Sequence, residues 1–64
     1  MSLQNADQES VMYGHLDVAM TAETRSQAER EASCFSAAAM HERIAQEHYL
    51  KAYAIDAQLR STRH

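Results

Sequence analysis

The hydrophobic and polar positions in the second half of the chain repeat with the period of an α-helix. Steps of four and three residues alternate along one row: His41, Ala45, His48, Ala52, Ile55 and Leu59. Ile44 and Tyr49 flank that row, and Arg43, Glu47 and Lys51 follow the opposite side at i, i+4 spacing. Alternating steps of three and four keep side chains on one helical face, so the pattern predicts an amphipathic helix.

The stretch that leads into this row also has a helical pattern, but its apolar residues are out of phase with the row. Four apolar residues lie about a third of a turn away from the row of the second half: Ala28, Ala32, Phe35 and Ala39. A straight helix drifts only about 20° per heptad, so drift does not account for this gap. We therefore predict an antiparallel helical hairpin that turns near 33–36, with Ser36 as the N-cap of its second helix.

A rival position for the turn lies at 21–25. Thr24 and Ser26 each precede a Gln or Glu by three residues, which is the spacing of a capping box. In this alternative a short helix near 9–20 precedes one long helix over about 26–60. The turn near 33–36 is preferred because it explains the change of phase.

The preferred hairpin forms a single domain over 1–64, with residues 1–8 and 61–64 expected to be frayed. Its first helix is predicted to present an i, i+4 row to the second: Met12, Leu16, Met20, Ala28 and Ala32. Asp56 and Arg60 on the second helix have the spacing of an ion pair.

Composition supports an all-α fold. The 64 residues include no Pro and only one Gly, Gly14, so tight β-hairpin turns lack their usual residues. Twelve residues are Ala, and only four are β-branched apolar residues, which favours helix over sheet.

The charge of the chain argues against some classes of partner. Formal net charge is −3, with six acidic and two basic residues in 1–32 but three acidic and four basic residues in 33–64. An acidic chain without a basic stripe is poorly suited to nucleic acid or to anionic membranes. The polar start of the chain is unlike a signal peptide, and a single cysteine fits a reducing compartment, so a cytoplasmic location is expected.

A chain of this length needs additional support. One small core rarely supplies more than about 3–5 kcal/mol, and Cys34 has no second cysteine with which to form a disulfide. We therefore expect a homo-oligomer or a protein partner, most simply a dimer that forms a four-helix bundle. The candidates for its interface are Met12, Leu16, Met20, Phe35, Met40, His41, Ile44, His48, Tyr49, Tyr53, Ile55 and Leu59.

Candidate chemistry is sparse. His41 and His48 share a face, but seven residues separate them by about 10.5 Å, too far for one metal ion. Cys34 has no basic residue within three positions to stabilise a thiolate, so we predict a small buried hydrophobe. A hairpin also lacks a pocket for a nucleophile, base and oxyanion hole. No enzymatic activity, metal or cofactor is predicted.

The sequence therefore predicts a non-catalytic interaction or structural module that works as a homodimeric bundle. One alternative is an acidic inhibitor or regulator, in which the acidic first half binds a larger basic protein. Another is a ligand- or metal-binding bundle that brings His41 and His48 together from two chains.

Overall fold

Two long α-helices make up the fold. The structure, a computed structural model, describes residues 5–62. Helix α1 spans Asn5–Glu31, helix α2 spans Phe35–Thr62, and the two pack against each other over an elongated body of 47 × 16 × 15 Å. The predicted all-α helical hairpin is confirmed. Neither described helix is long and apolar enough to cross a bilayer.

The helix ends differ from the predicted ones. Residues 5–8 and 61–62 were expected to be frayed but are helical. The rest of the segments expected to fray, 1–4 and 63–64, lies outside the described residues.

The chain reverses direction at 32–34 through a Schellman motif. The backbone N–H of Cys34 donates to the Glu29 carbonyl at 2.7 Å, and that of Ser33 donates to the Arg30 carbonyl at 3.0 Å. Ser33 itself has a φ of 63°, in the left-handed region. These bonds satisfy carbonyls that the end of α1 leaves without helical partners.

Helix α2 begins earlier than predicted, which changes the roles of two residues. The Cys34 carbonyl accepts the N–H of Ala38 at 3.0 Å, so Cys34 occupies the N-cap position. The prediction that Ser36 caps this helix is wrong, because Ser36 already lies in its first turn. The prediction of a buried Cys34 is also wrong: the residue is exposed at the tip of the hairpin.

Replacing Ser33 with Gly is expected to stabilise the hairpin by roughly 0.5–1 kcal/mol. An L-residue in the left-handed region places its Cβ too close to the following carbonyl, and glycine removes that contact. The urea midpoint followed by circular dichroism measures the change. Ser36→Gly is the control: it places glycine inside α2 and is expected to lower the midpoint. A lower midpoint for Ser33→Gly would contradict the assigned conformation.

Residues 21–25, the rival turn, lie within α1. The Thr24 hydroxyl donates to the Met20 carbonyl one turn earlier at 3.0 Å, as threonine does inside helices. Ser26 is buried, and its hydroxyl donates to Glu42 of the other helix. Both hydroxyls therefore have partners that are compatible with a continuous helix.

Each helix faces the other with a row of residues that are spaced alternately by three and four positions. On α2 the buried and half-buried residues include the predicted row from His41 to Leu59, which is confirmed. On α1 the facing residues are Met12, His15, Ala19, Ala22, Ser26 and Glu29.

The predicted i, i+4 row of α1 is wrong beyond Leu16. Met20 and Ala28 are exposed, and Ala32 lies in the turn. Each four-residue step rotates a side chain by about 40° beyond a full turn, so such a row winds away from the neighbouring helix. Alternating steps of three and four drift by only about 20° per heptad and stay at the seam.

The core of the hairpin is made largely of small side chains. Eight described residues are buried: Met12, Ala19, Ala22, Ser26, Ala38, Ala45, Ala52 and Leu59. Met12, Ala52 and Leu59 form a cluster at the end away from the turn, and Leu16 and Ile55 pack against it. Alanine lets the two backbones approach closely but contributes only one methyl group per residue to the core.

Candidate functional site

Polar contacts join the helices near the turn. His41 Nδ1 lies 2.5 Å from Glu29 Oε1, and both side chains are largely shielded from solvent. Glu42 forms an ion pair with Arg30 and accepts the Ser26 hydroxyl at 3.4 Å. His41 thus has a carboxylate partner within its own chain. On the surface of α2, the predicted Asp56–Arg60 ion pair is confirmed at 3.0 Å.

A pair of histidines joins the helices further from the turn. The Nδ1 atoms of His15 and His48 are 2.8 Å apart, and the ring centroids are 5.0 Å apart with the planes tilted by 34°. Two imidazole nitrogens at this distance share one hydrogen, with one ring donating and the other accepting. His48 was singled out from the sequence but His15 was not. The sequence did contain a signal for His15: it follows Met12 by three residues and precedes Ala19 by four, so it continues the inner row of α1.

A groove between the helices leads to a stacked pair of tyrosines. Tyr49 donates its hydroxyl to Glu23 Oε2 at 3.3 Å, and its ring stacks on Tyr53 with centroids 6.2 Å apart. Partial burial raises the pKa of the Tyr49 phenol. The Glu23 carboxylate raises that pKa further, because it repels the phenolate and accepts the hydrogen bond of the neutral phenol.

Large apolar side chains surround that tyrosine pair. Tyr49, Leu50 and Tyr53 line one hollow, and Leu50 and Tyr53 are 68% and 62% exposed. Met20 and Tyr13 of α1 are also exposed, and they precede the groove residue Gln27 by one and two heptads, which places them on the same side. These five residues, Tyr13, Met20, Tyr49, Leu50 and Tyr53, are called the tyrosine face below.

The opposite side of the hairpin has a groove of mixed character. Its lining residues are Asp17, Val18, Thr21, Ala22, Arg25, His41 and Ile44. Charged and hydroxyl side chains thus accompany Val18 and Ile44 in that groove, whereas Tyr49, Leu50 and Tyr53 line their hollow with one polar residue, Gln46.

The structure divides the predicted interface residues into three groups. Met12 and Leu59 are buried within one chain, with Leu16 and Ile55 packed beside them. Four others are half-buried: His41, Ile44, His48 and Tyr49. The remaining four are exposed: Met20, Phe35, Met40 and Tyr53. Leu50, which the sequence analysis did not single out, joins the exposed residues of the tyrosine face because α2 projects it beside Tyr53.

Within residues 5–62, no three histidine, cysteine, aspartate or glutamate residues cluster in a way that could hold a metal ion. Comparison of the chain with known protein families, with curated proteins and with solved structures found no match.

Proposed function

We propose that this protein is a non-catalytic protein-interaction module that pairs with a second copy of itself through the tyrosine face to form a four-helix bundle. The observation that carries the proposal is the imbalance between core and surface. The five large side chains of the tyrosine face are exposed or half-buried, while the core contains mainly alanine.

Burial energetics support a partner on this face. Burying a large apolar side chain contributes about 1.5–3 kcal/mol, and among the described buried residues only Met12 and Leu59 belong to that class. Covering Met20, Leu50 and Tyr53 would add apolar burial of the same order as the whole intrachain core. A chain of 64 residues has little other source of stability.

The dimensions of the hairpin fit a second copy as the partner. One side measures 47 × 16 Å, or about 750 Å², close to the roughly 800 Å² that each partner contributes to a stable interface. A twofold axis also makes the patch complementary to itself, because the Met and Tyr side chains of α1 in one copy meet the Tyr and Leu side chains of α2 in the other.

The distribution of charge favours an arrangement that places α1 of one copy beside α2 of the other. Residues 1–32 carry six acidic and two basic side chains, while residues 33–64 carry three acidic and four basic ones. Packing α1 on α1 of a second copy would bring like charges together. Packing α1 on α2 instead places the acidic excess of residues 1–32 beside the basic excess of residues 33–64.

Solution mass over a range of concentrations tests this proposal. Sedimentation equilibrium is expected to give twice the chain mass, and the thermal midpoint is expected to rise with protein concentration between about 5 and 500 µM. A single-chain mass with a concentration-independent midpoint throughout this range would overturn the homodimer. The predicted alternative, an acidic regulator of a larger basic protein, would then be favoured.

A further inference from the structure

The histidine pair between the helices carries an inference beyond the proposed function. His15 and His48 come from different helices, are half-buried, and direct their Nδ1 atoms at each other across 2.8 Å. We infer that these two residues form a cross-helix site for a divalent transition metal ion of the Cu²⁺ and Ni²⁺ class. Imidazole nitrogen is a preferred ligand for these ions.

The separation of the two nitrogens selects this class of ion. Two adjacent ligands at right angles, each about 2.0 Å from a metal, lie about 2.8 Å apart, which is the arrangement in tetragonal Cu²⁺ and Ni²⁺ sites. Tetrahedral Zn²⁺ with bonds of about 2.05 Å requires about 3.3 Å between nitrogens. The 2.8 Å between the nitrogens shows that the two rings are close enough for both to reach one ion of this class once they rotate.

Binding requires both rings to rotate and one of them to change tautomer. The rings now face each other nearly head-on, since their centroids are 5.0 Å apart while the nitrogens are 2.8 Å apart. Rotation about the side-chain bonds turns both lone pairs toward one point at the seam. The ring that donates its Nδ1 hydrogen in the pair moves that hydrogen to Nε2 through solvent, so two neutral imidazoles bind the dication without a net release of protons. Water completes the coordination.

No carboxylate lies one helical turn from either imidazole on its own helix. The residues one turn away from His15 on α1 are apolar: Val11, Met12, Val18 and Ala19. Those one turn away from His48 on α2 are Ile44, Ala45, Lys51 and Ala52. Lys51 is exposed, and neither set contains a carboxylate. His41, by contrast, is held by Glu29 at 2.5 Å, which makes it a matched control histidine.

Titration calorimetry and thermal unfolding with NiCl₂ test the site, since Ni²⁺ does not oxidise the exposed thiol of Cys34. We expect one Ni²⁺ per chain and a thermal midpoint that rises with metal concentration. His15→Gln and His48→Gln are each expected to weaken binding at least about tenfold, because one of two ligands is lost. His41→Gln and Cys34→Ser are expected to stay within about twofold of the natural chain.

Circular dichroism of each variant verifies that the hairpin is still helical, and glutamine retains an amide that can hydrogen-bond across the seam. The proposed site would be overturned if Ni²⁺ produced neither a heat of binding nor a shift in the thermal midpoint. Binding that persists in the His15→Gln/His48→Gln double variant would also overturn it. The site lies within one chain, so Leu50→Glu is expected to keep its Ni²⁺ affinity whether or not the dimer forms.

Discussion

Leu50→Glu is expected to convert the dimer into single chains, with self-association weakened at least about 30-fold. Residues at the centre of an interface contribute about 2 kcal/mol or more, which corresponds to that factor. In a twofold dimer each substitution is present twice, so a carboxylate would enter the apolar interface at two places. Leu50 is 68% exposed in the single hairpin, so the fold of each chain is expected to remain. Sedimentation measures the association, and circular dichroism measures helix content.

Val18→Glu provides the matched control for the same charge change. Val18 is an exposed aliphatic residue, but it lines the opposite groove with Thr21 and Arg25. This variant is expected to dimerise like the natural chain. Tyr53→Glu, on the tyrosine face, is expected to behave like Leu50→Glu. If Val18→Glu and Leu50→Glu weakened dimerisation equally, the interface would lie elsewhere or the effect would come from net charge alone.

Ala52→Leu is expected to destabilise the hairpin by about 1–3 kcal/mol or more, a large part of the total available to a chain of this size. Ala52 is 1% exposed and lies in the cluster with Met12 and Leu59. Three extra carbon atoms at this position have no space, so the helices must separate or the side chains must leave their preferred rotamers. Urea unfolding followed by circular dichroism measures the loss.

Ala54→Leu tests whether the loss comes from packing. Ala54 lies two residues further along α2 and is exposed, and leucine has nearly the helix propensity of alanine. Its effect is expected to stay within about 0.5 kcal/mol. A similar midpoint for Ala52→Leu and Ala54→Leu would contradict close packing of the two helices at Ala52.

Much of the fold was predictable because α2 has a clear amphipathic pattern. Its row from His41 to Leu59 combines small, aromatic-ring and aliphatic residues against a charged row of Arg43, Glu47 and Lys51, so the inner face stands out. The change of phase near 33–36 also predicted a reversal close to the observed turn, but the apolar residues that suggested it are exposed and form no inner row: Ala28, Ala32, Phe35 and Ala39. The turn itself lies at 32–34.

The inner face of helix α1 was harder to predict, because hydropathy does not mark it. Its large apolar residues are distributed around the helix, so Met20 and Val18 are exposed, while Ala19 and Ser26 are buried. Small residues of α1 face α2 because the two backbones approach closely. The distance between the backbones depends on the side chains of both helices. A row chosen from the apolar residues of α1 alone therefore followed the wrong spacing.

The sequence by itself determined the all-α class, the two-helix architecture and the inner row of α2, because these depend on composition and on periodicity within one segment. Tertiary structure alone decided which residues meet across the seam. His15 reaches His48, Glu29 reaches His41, and Glu23 reaches Tyr49. These relations depend on the register between the helices, and that register is set by how the two inner faces pack together rather than by a pattern within either helix.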